Sequence, residues 1–188
     1  KIKYARDAAA HIIDQLQSTD VVSIVMYDDV VELLQAPVNA IDKASLKKKL
    51  NSLTPRGSTN LWGGTEKGYE QVKSHYKQNY INRVLLLSDG LANAGLTDQK
   101  SISHKVQQYK DQEGITLSTF GIGLDYNETL MTDMAETGAG NYYFIESPDK
   151  LAGIFSKELN GLMNVAAQNT VLKVKIPQGV TVQKVYNF

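Results

Sequence analysis

The sequence predicts an α/β fold: a Rossmann-like open, mostly parallel sheet with helices on both faces, one antiparallel edge strand, and the start of a β module at the C-terminus. Three observations carry this. Short β-prone runs alternate with helical patterns of about ten or more residues, the signature of βαβ units joined by right-handed crossovers. Val84, Leu85, Leu86 and Leu87 form an unbroken apolar run, which predicts a central parallel strand covered on both faces. Residues 21–27 and 30–35 are both β-prone and are separated by Asp28-Asp29 alone, which predicts a hairpin and with it the antiparallel strand.

Ile2, Ala5, Ala9, Ile12, Ile13 and Leu16 recur at helical spacing, with Lys3, Arg6, Asp14 and Gln17 opposite, so the chain opens in an amphipathic helix. The pattern is already under way at Lys1 with no capping residue before it, so the helix is expected to begin before this sequence does. Ser18-Thr19-Asp20 ends it, and VVSIVMY at 21–27 is the first strand. The adjacent Asp28 and Asp29 suit a solvated hairpin turn or a metal-ligand pair, the turn being the ordinary reading.

Pro37 and Asn39 predict a loop; then residues 44–53 carry Leu46, Leu50 and Leu53 at helical spacing, with Lys47, Lys48 and Lys49 toward water. The lysine run reads as a solvated helix face. A polar loop over 54–60 leads to a helix over 61–77. Beyond the apolar run, a helix over 97–112 turns Ile102, Val106 and Tyr109 inward, and Gly114 stops it. A strand over 116–121, a short helix over 128–136 and a strand over 141–145 follow. Pro148 then starts a helix bearing Leu151, Ile154, Phe155, Leu159 and Leu162. From about Gln168 the texture changes. Leu172, Val174 and Ile176 alternate with Lys173 and Lys175, and Pro177-Gln178-Gly179 turns into a further β-prone run ending at Phe188. The expected division is an α/β domain over 1–166 and the beginning of a β-rich module, or extra strands, over 167–188.

The 188 residues carry 20 Lys plus Arg against 20 Asp plus Glu. A zero formal charge offers no bulk attraction to nucleic acid or anionic membrane. The absence of cysteine excludes disulfides, thiol catalysis and thiolate-ligated zinc. No apolar run reaches the roughly 18 to 20 residues of a membrane helix.

The apolar run ends at Ser88-Asp89-Gly90, so a carboxylate stands at the carboxyl end of a strand, where open α/β sheets bind ligands, with a glycine beside it to allow unusual backbone angles. Asp89 is the first candidate site residue; a turn or helix-capping role is the alternative. Thr59 stands just before a predicted helix, where it, Ser58 or Asn60 suits the N-cap, or where its hydroxyl is offered to something bound above the sheet. Other motifs fail. Gly121-Ile122-Gly123 follows a strand, but Tyr126 holds the place of the third glycine of a dinucleotide fingerprint. Gly57, Gly63, Gly64 and Thr65 make no phosphate loop, since no lysine precedes Thr65. Ser88 lacks the first glycine of a nucleophile elbow, and His11, His75 and His104 share no metal-ligand spacing. Asn127-Glu128-Thr129 matches a glycosylation acceptor, a pattern common by chance.

Four phrases, YARDAAAHIIDQL, GSTNLWGG, NRVLLLSDGLANAG and STFGIGLDYNETLMTDMAETGAGNYYFI, resemble the von Willebrand factor type A domain in its bacterial versions, in the family's order and spacing, over about residues 1–164. The resemblance implies a metal-ion-dependent adhesion site, built in the family from an Asp-x-Ser-x-Ser loop, a Thr and an Asp. Thr59 matches that Thr and Asp89 that Asp, with Ser58, Asn60, Ser88 and Gly90 on the rim. It implies Mg²⁺, or Mn²⁺ or Ca²⁺, completing its shell with a Glu or Asp carboxylate of a protein partner. The Asp-x-Ser-x-Ser loop and the strand leading to it have no counterpart in this sequence, so the site is expected to be incomplete here and to hold Mg²⁺ weakly or not at all.

In the family that strand lies between those matching residues 21–27 and 84–88. The expectation is therefore strand exchange between copies, direct pairing of the two flanking strands, or occupation of the slot by a segment such as residues 170–176. The leading functional reading is a non-enzymatic, adhesion-like binding module, outside the cytoplasm in the periplasm, at the cell surface or secreted. A structural cell-envelope scaffold with a vestigial metal site is the alternative, and an α/β enzyme using Asp89 or Ser88 lacks a visible base or nucleophile partner.

Overall fold

The computed structural model describes residues 2–52, 57–147, 150–163, 175–177 and 179–184. The chain opens in α1 (Ile2–Gln15), then β1 (Val21–Tyr27) and β2 (Val31–Asn39) form a hairpin. Next come α2 (Lys43–Leu50), α3 (Leu61–Ser74), β3 (Arg83–Ser88), α4 (Gln99–Glu113), β4 (Thr116–Ile122), α5 (Glu128–Thr137), β5 (Tyr142–Ile145) and α6 (Leu151–Met163). Local chemistry fixes the ends. Asp42, Asn60, Asp98 and Asn127 cap α2, α3, α4 and α5, each side chain accepting a backbone N–H three residues on. Gly114 ends α4 in the left-handed conformation at φ 67°, as a C-terminal glycine should.

The antiparallel strand is longer than residues 30–35. It runs through Pro37 to Asn39, and Val38 and Asn39 pair with Val22 and Val21. The ladder shifts register between Val22 and Val25, opposite Leu33 to Val38. Bulging of this kind lets an edge strand carry a proline without losing its pairing further on.

β3, β4 and β5 form a parallel sheet in that order, separate from the β1–β2 pair among the described residues. β3 is thus not flanked on both sides as expected: β4 pairs along one edge only. Nor do β1 and β3 close on each other, which overturns direct pairing. Between them lies a slot with a cavity of about 1040 Å³, reaching from Asp20 and Asn82 at the amino end of the strands to Asp28 and Asp89 at the carboxyl end. The slot also corrects the expected full coverage of β3. Val84, Leu86 and Ser88 are buried, whereas Leu85 and Leu87, on the face toward Phe120 and Phe155, are half-buried; all five border the cavity. Residues 170–174, one expected occupant, lie outside the described residues; Ile176 is 46% exposed. Leu53, Pro148, Leu172 and Val174 likewise fall outside, and residues 175–177, which include Ile176 of that expected strand, and 179–184 form no strand.

Helices cover both faces. On one, Leu61, Trp62 and Tyr69 of α3, Ile102 and Val106 of α4, and Leu130, Met131 and Met134 of α5 pack on Val84, Leu86 and Leu117. Tyr69 stacks on Tyr109 at 4.1 Å between ring centres. The buried Trp62 Nε1 has no hydrogen-bond partner among the described residues, and Lys105 Nζ lies 5.5 Å from the centre of its ring. On the other face, Ala8 and Ile12 of α1 and Leu151 and Phe155 of α6 meet Phe120, Ile122 and Ile145. α2 seals the hairpin end through Leu46 and Leu50 against Ile13.

At the amino ends of the parallel strands the fold buries a charge. Glu158 on α6 has a side chain with 0% exposure and accepts from Arg83 Nη1 at 2.7 Å. Ser118 Oγ at 2.5 Å, Asn141 Nδ2 at 2.9 Å and Tyr143 Oη at 2.9 Å also donate to it. Every carboxylate oxygen is therefore occupied, which is what a buried charge requires. No helix among the described residues is long and apolar enough to cross a membrane.

Candidate functional site

At the opposite rim, the carboxyl ends of β1 and β3 and the loop before α3 are stitched together. Asn60 N donates to the Asp28 carbonyl at 2.7 Å, and Thr59 N donates to Asn93 Oδ1 at 2.7 Å. The Thr59 carbonyl accepts from Asn93 N at 3.2 Å and Ala94 N at 3.3 Å. These bonds fix Thr59 against the loop that carries Asp89. Asn93, which sequence reasoning did not single out, is the tie; an asparagine in a loop gives no signal of which backbone it will bridge.

The capping question resolves in favour of Asn60. Its Oδ1 accepts from Gly63 N at 3.0 Å, so Asn60 sits on the rim with its side chain committed to α3. The Thr59 hydroxyl stands outside the cap and presses on Gly90: a side-chain carbon placed on Gly90 would lie 3.1 Å from Thr59 Oγ1. Close approach, not backbone angle, is what glycine serves here, because Gly90 is absent from the residues with positive φ. Asp89 is half-buried, and it lines the mouth of the slot together with Ser58, Thr59 and Asp28. Ser88 is turned inward, buried, and donates to the Gly90 carbonyl at 3.1 Å.

Tyr27 shapes the floor. Its hydroxyl donates to the Leu87 carbonyl at 2.7 Å, and its ring lies against α3 so closely that a side-chain carbon on Gly64 would fall 2.3 Å from Tyr27 Cγ. Burial drives its acidity far down; the hydrogen bond with Ser88 opposes that shift and the negative charge of Asp89 reinforces it. Asp28 makes the turn, Val30 N donating to its Oδ1 at 2.8 Å and its own N–H donating to the Val30 carbonyl at 3.1 Å, but it is buried, 7% exposed, and not solvated as expected. Leu91 and Leu124, just beyond β3 and β4, are 56% and 86% exposed on the same rim.

The structure thus brings Thr59 and Asp89 to one rim, with Ser58 beside them. A hydroxyl and a carboxylate are hard oxygen ligands, right in kind for Mg²⁺, but they fill two of about six positions. Among the described residues no group of three or more His, Cys, Asp or Glu is placed to hold a metal ion. At Gly121, a side-chain carbon would fall 2.2 Å from the Tyr126 ring, so Tyr126 covers the strand end that a dinucleotide loop would need open.

The chain matches the model of the von Willebrand factor type A domain over residues 1–157. It is 31% identical over 172 residues to YfbK, an uncharacterized protein of Escherichia coli, covering 90% of this chain and 30% of that protein. A second relative, the uncharacterized protein sll0103 of Synechocystis, is 22% identical, with 93% and 41% of the two lengths covered. The chain therefore spans less than half the length of the curated relatives it matches. Among solved structures, a von Willebrand factor type A protein from Catenulispora acidiphila superposes with a TM-score of 0.72 at 19% identity, over 84% of this chain and 37% of that one. Proximal thread matrix protein 1 of the mussel byssus, with a zinc-occupied adhesion motif, superposes with a TM-score of 0.64 at 19% identity, over 84% and 42%. At such identities the structures speak to the fold, and the family match speaks to descent: this chain belongs to the von Willebrand factor type A domain family.

Proposed function

We propose that this domain captures a protein partner through a divalent cation, Mg²⁺ or its substitutes Mn²⁺ and Ca²⁺, held in part by Thr59 and Asp89. The observation that carries the reading is the clamp of residues 58–60 onto residues 90–94, which sets the Thr59 hydroxyl against Gly90, one residue from Asp89. Bound there, the cation would supply a positive charge with open positions for an acidic side chain of the partner. The chain's own residues do the rest. Asn93 holds Thr59 in place, Asn60 keeps its side chain in the α3 cap and out of the shell, and exposed Leu91 and Leu124 offer apolar contact around the carboxylate. The zinc-occupied motif of the mussel protein supports a cation at this kind of rim. The reading is one of binding without turnover, and an extracytoplasmic setting fits capture of this kind.

A second reading, a scaffold domain with a vestigial site, draws on one observation: among the described residues no group of three or more His, Cys, Asp or Glu is placed to hold a metal ion. Asp89→Ala in the intact parent protein separates the two. Loss of divalent-dependent partner capture with the fold retained supports the first; unchanged capture in EDTA supports the second.

A further inference from the structure

α1 turns a second face away from the slot and toward α2. Ala5, Ala9 and Ile12 border the slot, whereas Arg6, Asp7 and Ala10 line a separate cavity of about 350 Å³ between the two helices. The opposite wall is one face of α2 and its C-cap: Ala44, Lys47, Lys48 and Asn51 recur at the three- and four-residue steps that bring side chains together. Alanine on each helix, Ala10 and Ala44, leaves the gap, and Leu50, only 2% exposed, lies beneath it. Lys47 Nζ pairs with Asp14 Oδ1 at 2.6 Å and Lys43 Nζ donates to the Asp14 carbonyl at 2.9 Å, so the two helices are pinned to each other beside the cavity.

The lining is basic. Arg6, Lys47 and Lys48 stand against the single carboxylate of Asp7, and no ion pair or side-chain hydrogen bond engages Arg6 or Lys48 among the described residues. Arg6 Nε is buried without a partner. The guanidinium thus keeps its charge while losing part of its water, a deficit that an anion on its fork offsets. Two unpaired cations suit a dianion, which a phosphomonoester supplies at neutral pH and a single carboxylate does not. The volume, about 350 Å³, falls at the small end of the range for small-molecule sites and exceeds what a bare oxyanion fills. We propose that this pocket binds the phosphate group of a small phosphomonoester. Arg6 and Lys48 hold the dianion, Lys47 adds charge from its pair with Asp14, and Asn51 offers its amide. The carbon skeleton of the ligand lies against Ala10, Ala44 and Leu50.

The test is titration of the 188-residue chain with phenyl phosphate, followed by amide NMR in EDTA so that no cation contributes. Inorganic phosphate and the monoanion benzenesulfonate are the comparison probes. The expected result is saturable one-to-one binding of phenyl phosphate with a Kd of about 1 mM or below, shifts confined to residues 6–10 and 44–51, and binding of both other probes weaker by about threefold or more. Arg6→Gln and Lys48→Gln should each weaken binding about tenfold, so that either variant carries the test if the other fails to fold. Lys49→Gln should leave it unchanged, because that lysine donates to Gln35 Oε1 at 2.6 Å, outside the pocket. An equal loss in Lys49→Gln would overturn the proposal, since diffuse helix charge does not distinguish neighbouring lysines. So would equal binding of either comparison probe, no saturation below roughly 10 mM, or capture by phosphatidylserine vesicles of a chain that ignores phenyl phosphate.

Discussion

The Tyr27 hydroxyl donates to the Leu87 carbonyl at 2.7 Å, and this bond joins the hairpin to the parallel sheet across the slot. Tyr27→Phe keeps the ring against Gly64 and deletes the bond, so it is expected to cost about 1 kcal/mol in chemical denaturation, the usual net value of one hydrogen bond. Burial raises the pKa of this phenol from 10.0, so its stabilising contribution is complete below pH 10.0 and is lost as the pH climbs through the higher folded value. The variant should therefore lose less stability than the parent protein above pH 10.0, as read by denaturant midpoints.

Asp89→Ala and Thr59→Ala test the rim. Asp89 is half-buried, with no ion pair among the described residues, and Thr59 fixes its loop through backbone groups. Each variant is expected to change folding stability by no more than roughly 0.5 kcal/mol. Each should abolish divalent-dependent partner capture by the intact parent protein in a pull-down. Capture that survives both substitutions would remove the cation reading.

Mg²⁺ itself should bind the 188-residue chain poorly. Two ligands do not compensate an ion that gives up water reluctantly, so calorimetry is expected to show no saturation below roughly 1 mM. Tight one-to-one binding would mean that other residues complete the shell.

Glu158 tests what holds α6 to the sheet. Glu158→Gln leaves Arg83, whose side chain is 13% exposed, without its counter-charge, and is expected to cost about 3 kcal/mol. Burial alone would raise the Glu158 carboxyl; hydrogen bonds from Ser118, Asn141 and Arg83, with the charge of Arg83, outweigh it and hold the pKa below 4.5. A depressed pKa contributes stability that is complete above pH 4.5 and is lost as the pH falls through the folded value. Thermal unfolding below pH 4.5 should show the parent losing this advantage over Glu158→Gln.

The sequence carried the elements, because hydrophobic periodicity and capping residues are local. The order of helices and strands, the stop at Gly114 and the placement of Asp89 at a strand end were all legible. Thr59 as a site residue required the family resemblance, since a Ser-Thr-Asn run offers three equivalent caps and only the fold shows that Asn60 takes the role. Asn93, the Tyr27 to Leu87 bond and the Glu158 cluster were not legible. Each joins residues more than 30 positions apart in at least one contact, and periodicity says nothing about such pairs. The slot was anticipated as a place lacking a strand, but not its open state.

Trp62 is the sole tryptophan of the chain, and it lies two residues beyond the Asn60 cap with its indole nitrogen buried and unbonded. An indole in so dry a setting emits at short wavelength, and any loosening of the neighbouring loop lets water reach it and shifts the emission to the red. The protein thus carries its own optical gauge of the rim, readable without a label each time an ion or a partner arrives.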